Sequence, residues 1–159
     1  MSTDKKTIVV FSGDYDKAIA AFIIANGAAA MGDEVTMFFT FWGLDILRKP
    51  KKPKTSGKTF LQTMFGKMMP RGTAKLPLSK MNFWGMGAPM MKLIMKQGNA
   101  MSLDDLVASA QEQGVRLVAC TMTMDLLGFR KEELLDGVEF AGVAAYLGDA
   151  DEANVNLFI

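Results

Sequence analysis

Apolar positions along the chain gather into short β-rich runs separated by longer stretches with helical spacing. Thr7–Ser12 (TIVVFS) reads as a first, buried parallel strand, closed by Ser-Gly-Asp. Asp14 or Asp16 is placed to cap a long apolar helix that runs through Met31 and stops at Gly32. Glu34–Thr40 (EVTMFFT) predicts a second strand, and Trp42–Arg48 the start of another helix, broken at Pro50. Such a β-α-β-α opening implies parallel strands joined by right-handed crossovers, hence an α/β layer fold.

The alternation is interrupted between about residues 49 and 101. Lys49–Gly57 (KPKKPKTSG) predicts an exposed loop. Thr59–Met69 and Ala88–Lys96 carry helical spacing, divided by Pro70-Arg71-Gly72 and Pro77. Regular order then resumes. Ser102 is placed to cap a helix over Leu103–Gln113, with Asp104 and Asp105 in its first turn. A strand ending at Cys120 follows, then helical Met124–Leu127 and Lys131–Leu135, a fourth strand at Val138–Ala141, a short helix over Gly142–Leu147 and a fifth strand at Asn154–Ile159. The pattern predicts a single domain over 1–159 in which the stretch 49–101 decorates one α/β core.

Composition sharpens this picture by exclusion. A chain of 159 residues, half of them apolar, can bury about 70% of its unfolded surface without covalent staples. The apolar run near the N-terminus is too short for a signal peptide, and Ala18–Met31 falls short of the ~20 residues of a membrane span, so a cytoplasmic setting is expected. A single cysteine permits no internal disulfide. The absence of histidine removes the usual general base and the commonest metal ligand, which excludes serine–histidine and cysteine–histidine hydrolase schemes within one chain. No metal and no cofactor are expected: one thiol cannot build a zinc cage, the methionines lack the tight spacing of a copper site, and SGDYD lacks the glycines of a nucleotide loop.

The net charge of +1 conceals an asymmetry. Residues 1–47 hold three lysines and six acids, Arg48–Lys96 hold twelve basic residues and no acid, and 97–159 hold three basic residues and eleven acids. Nine of the fourteen methionines lie between Met64 and Met101, alongside Phe65, Phe83 and Trp84. Four readings of this block stay open: packing over the sheet, a cover for a site, a homo-oligomer interface, or a surface that sits on anionic lipid. Nucleic-acid binding is disfavoured, because the flanks are acidic and no recognition motif is present.

Candidate chemistry centres on Cys120, where a β-rich run (Val115, Leu117, Val118, Ala119) hands over to a helix. Thr121 or Thr123 is placed to cap that helix, and Asp125 falls in its expected first turn. A thiol there meets unpaired backbone N–H groups and the positive end of the helix dipole, which favour thiolate. The plain alternative is a small buried hydrophobe. Ser12, Thr40 and Cys120 all end strands, so they are expected to share one edge of the sheet, with Gly13, Trp42, Thr121 and Met124 lining a site beside them. Asp125 is assigned structural support, since its charge near sulfur opposes thiolate formation.

The segments FFTFWGLDIL, MMPRG, LSKMNFWGMG, MMK, LVACTMTMDLLG, GVAAYL and NVNLFI together resemble the DsrE/DsrF-like family, in its longer, Met-rich branch. The resemblance runs from the first strand to the last residue and is most specific around Cys120. It implies a three-layer α/β/α sandwich with a mostly parallel five-stranded sheet, carrying a basic Met-rich helical insertion. It also implies a sulfur-relay protein, a sulfur carrier or sulfurtransferase, with a persulfide on Cys120 and rhodanese-like or TusA-like donor and acceptor proteins. Some members use a second cysteine, which this chain lacks, so any relaying thiol belongs to another molecule. Two alternatives stand beside this: a peroxide-sensing thiol protein, and a non-enzymatic oligomeric or membrane-surface protein that works through the basic block.

Overall fold

The computed structural model describes residues 3–159. Five strands, β1 (Lys5–Val10), β2 (Glu34–Phe39), β3 (Arg116–Cys120), β4 (Glu139–Ala141) and β5 (Val155–Phe158), form one sheet in the order β4-β3-β2-β1-β5. Every pairing is parallel. Helices α1 (Tyr15–Ala30), α2 (Phe60–Met68), α3 (Gly87–Gln97), α4 (Leu103–Glu112), α5 (Thr121–Leu127) and α6 (Val143–Asp151) join them. Strand and helix positions follow the apolar pattern, with the ends shifted by a few residues. Two elements differ in kind: Phe41–Leu47 winds as a 3-10 helix, and the expected helix over Lys131–Leu135 is a single 3-10 turn at Lys131–Glu133. Gly43 explains the tightness of the first, since a Cβ there would lie 2.0 Å from the carbonyl oxygen of Val10.

Handedness decides how the layers are covered. The chain steps from β1 to β2, β3 and β4 in one direction, so right-handed crossovers place their helices on one face. That face is the main core. Ile8, Val10, Met37, Phe39, Leu117 and Ala119 meet Ala18, Phe22 and Ala25 of α1, Leu106, Val107 and Ala110 of α4, and Met124 of α5. Only the return from β4 to β5 runs the other way, and it carries α6 across the opposite face. There the cluster is small: Phe38, Val118 and Cys120, with Ala141 and Tyr146 packed against them. The Tyr146 ring stacks on Phe38 at 5.0 Å between centroids, and Arg116 bridges Glu139 and Asp149.

The first part of segment 49–101 is bound to the body by buried charges on either side of α2. The guanidinium of Arg48 is withdrawn from solvent and donates to the carbonyls of Gly66 and Pro70 at 3.0 Å each, with Asp45 Oδ1 at 3.5 Å and the Phe129 ring beneath it at 4.5 Å. Glu133, fully buried, receives Lys58 at 2.5 Å and Arg71 at 3.1 Å, both from that segment. Burial pushes the Glu133 carboxyl up, but hydrogen bonds from Lys58, the Arg130 backbone and Arg71 hold it below the ordinary value. Asp45 goes the other way. Burial raises it to about 7, and Arg48, whose Nη1 lies 3.5 Å from Oδ1, offsets this only in part.

Two outcomes follow from these charges. Glu133→Gln leaves two nearly buried cations without a carboxylate and lowers stability by about 3 kcal/mol in chemical denaturation, whereas Lys49→Gln, whose partner Asp136 is exposed, changes little. Asp45, raised from 3.8 to about 7, binds more protons in the folded than in the unfolded chain between those values. Its contribution is therefore present at low pH and is lost as pH rises through the folded value. Thermal denaturation of wild type against Asp45→Asn should show wild type losing ground between about pH 4 and pH 7; parallel curves would contradict this.

Candidate functional site

Adjacent loops leave the carboxyl ends of β3 and β4 toward opposite faces of the sheet: α5 joins the main core and α6 the other side. Such a divergence marks the place, outside the strand ends, where open α/β sheets put ligands and reactive groups. Cys120 ends β3 and pairs with Ala141 at the end of β4, and Gly142 and Thr121 begin the two diverging segments. A Cβ on Gly142 would lie 3.9 Å from Thr121 Oγ1, which shows how closely the two starts approach.

Cys120 itself occupies the N-cap position of α5, with φ −69° and ψ 113°. Neither Thr121 nor Thr123 is the cap: Thr121 is the first helical residue, and Thr123 is fully buried with its hydroxyl 2.9 Å from that of Thr40. Asp125 is not in the first turn, because the helix begins earlier than its apolar spacing indicates. It meets α2 through its backbone carbonyl, which accepts from Gln62 Nε2 at 3.0 Å. Cys120 is only 3% exposed, packed against the α6 side of the sheet, as the alternative of a small buried residue anticipates.

The residues expected to share one site divide into three groups. Thr40 extends β2 beside Cys120, since Phe39 pairs with Ala119, and its hydroxyl ties that strand end to α5. Ser12 and Gly13 follow β1, two strands away and about 10 Å by strand spacing, and Trp42, which follows β2, sits against Gly13. They line a separate cleft of about 310 Å³ with Asp14, Lys17 and Asp45. Ser12 is fixed there: its hydroxyl donates to Asp14 Oδ2 and accepts from the Asp14 N–H. Gly13 is required, because a Cβ would come within 2.6 Å of the Trp42 carbonyl oxygen. Met124 does not line either place; it is buried in the main core on the far side of the sheet.

Phe38, Ala141 and Tyr146, which surround Cys120, were not foreseeable as neighbours from spacing. Phe38 and Val118 carry a signal in hindsight, since alternation along a strand puts them on the face that Cys120 shares. Tyr146 carries none, because its place depends on which face the last crossover takes. Asp45 likewise joins the Ser12 cleft only through the 3-10 turn. Among the described residues no group of three or more histidine, cysteine or acidic side chains is placed to hold a metal ion.

Comparison with known proteins agrees with this architecture. Two solved structures, the YchN protein from E. coli and protein MTH1491 from Methanobacterium thermoautotrophicum, share the fold with a TM-score of 0.58 each, at 12% and 13% identity. They cover 99% and 97% of this chain, and 100% and 98% of their own are covered. In sequence, the chain is 63% identical over 157 residues to the uncharacterized protein YrkE of Bacillus subtilis, spanning 99% of this chain and 98% of that one. It is 39% identical over 163 residues to the sulfur carrier protein DsrE2 of Allochromatium vinosum, across the full length of both. The description of the DsrE/DsrF/DrsH-like family matches residues 2–158, and the chain belongs to that family.

Proposed function

We propose that this protein carries sulfane sulfur as a persulfide on Cys120 and passes it between partner thiols. The observation that supports this best is the position of the chain's lone thiol at the carboxyl end of β3, beside the end of β4, where backbone N–H groups of α5 begin and two loops part. The 39% identity to a protein named as a sulfur carrier supports the same chemistry.

In the loading step the Cys120 thiolate attacks the outer sulfur of a donor persulfide. The donor S–S bond breaks, the donor leaves as thiolate, and Cys120 holds S–S⁻. In the unloading step an acceptor thiolate attacks that terminal sulfur, the Cys120 S–S bond breaks, and Cys120 returns as thiolate. No net oxidation occurs and no cofactor is consumed. Each step needs a partner thiol, consistent with rhodanese-like donors and TusA-like acceptors as the chemical class of partner. The buried sulfur has a matching use: a persulfide held under Phe38 and Tyr146 is shielded from oxidants until a partner opens the α6 side.

Intact mass measured after incubation with polysulfide should show sulfur gained by wild type, removed by a thiol reductant, and no gain by Cys120→Ser. A folded wild type that gains nothing from several sulfane donors would contradict the carrier reading. Shielding has its own test. Tyr146→Ala should speed native-state alkylation of Cys120 by about tenfold or more, which corresponds to roughly 1.4 kcal/mol removed from local opening; an unchanged rate would mean that α6 is not the cover.

A further inference from the structure

Helix α2 is turned inside out. Gln62, Thr63 and Gly66 face the protein, where Gln62 binds the Asp125 carbonyl and the Gly66 carbonyl accepts from Arg48. The apolar stripe Phe60, Leu61, Met64, Phe65 and Met68 faces solvent, with Phe60 82% exposed. A capping box between Thr59 and Gln62 fixes where this helix starts, so the orientation is set locally as well as by packing.

Helix α3 shows the same excess on its outer side. Met91 and Met95 pack on the core, while Met90, Leu93 and Ile94 remain exposed. The turn before it holds Met81, Phe83 and Trp84 in the left-handed region, at φ 57°, 42° and 59°, conformations that disfavour bulky residues. There the Trp84 side chain stands fully exposed. Helix α2 meets the C-terminal half of α5, where Gln62 binds the Asp125 carbonyl and lies against Gly128, and Lys92 of α3 lies 5.1 Å over Tyr15, where α1 starts beyond β1.

Charge identifies the occupant. Of the twelve basic residues in 48–96, Arg48, Lys49, Lys58 and Arg71 pair with carboxylates; the other eight, all lysines, make no ion pair among the described residues, and of these Lys92 is held between the Tyr15 ring and the Ala74 carbonyl. A second copy placed on the same surface would set these lysines against themselves, and no acid in the block relieves the repulsion. A negatively charged, apolar-cored surface satisfies both features together. Among the described residues no helix is long and apolar enough to cross a membrane.

We infer that α2, α3 and the Trp84 turn form a peripheral seat for an anionic lipid surface, with Phe60, Phe65 and Trp84 entering the interface and the unpaired lysines meeting headgroups. This seat is independent of sulfur chemistry at Cys120. The test uses the full chain carrying Trp42→Phe, so that Trp84 reports alone, with vesicles of phosphatidylcholine and of phosphatidylcholine mixed with phosphatidylglycerol. The mixed vesicles should sediment the protein and shift Trp84 emission to the blue. Raising salt from about 0.05 to 0.5 M should weaken binding by about tenfold or more.

Phe60→Ser combined with Trp84→Ser, at two exposed positions, should abolish sedimentation while circular dichroism stays unchanged. Cys120→Ser should bind as wild type does. Equal binding to phosphatidylcholine alone would overturn the inference, as would no binding to either vesicle. A concentration-dependent oligomer in which Trp84 is already blue-shifted without lipid would overturn it in favour of a second copy.

Discussion

Parallel strands can be joined only by crossovers, and these crossovers have one hand. In this chain three successive steps run one way across the sheet and a single step runs back, so one face receives α1, α4 and α5 while the other receives α6 alone. Two consequences meet at Cys120. The loops after β3 and β4 diverge there, and the sulfur lies in the thinly covered layer. A thiol in the main core would be sealed by two long helices; here a nine-residue helix and one tyrosine form the lid.

The Met-rich segment depends on a second constraint, the cost of burying charge. A guanidinium removed from water must find acceptors, and Arg48 finds them in the carbonyls that follow and end α2. Glu133 completes the anchorage by binding cations from both sides of α2. These contacts use the polar side of the segment. Its apolar side is consequently left facing outward, which is the reverse of an ordinary surface helix. The segment is thereby joined to the helix that follows Cys120, through the contact of α2 with α5.

Much of the fold is written in the apolar spacing. Strands β1, β2 and β3 and helices α1 and α4 are strongly patterned, and Ser102 caps α4 as its position predicts. Boundaries near Cys120 are less legible because Thr121 and Thr123 both have capping chemistry, yet the tertiary hydrogen bond to Thr40 claims one and the helix itself the other. Strand ends show which residues reach the carboxyl edge but not how far apart they stand; that requires the strand order, which puts β2 between Ser12 and Cys120. Met124 shows a related limit. Helical spacing gives its phase, while the side of the sheet it faces is set by the crossover.

The account centres on a thiol that accepts sulfur and releases it again, so the decisive measurement is transfer rather than modification. The protein is loaded with isotopically labelled sulfane sulfur, freed of donor and mixed with a thiol-bearing acceptor protein, and intact and peptide masses are followed in time. The label should be found on the peptide containing Cys120 and then pass to the acceptor thiol, with Cys120 returning to its reduced mass. Label that never leaves Cys120, or that reaches the acceptor equally from Cys120→Ser, would contradict the account.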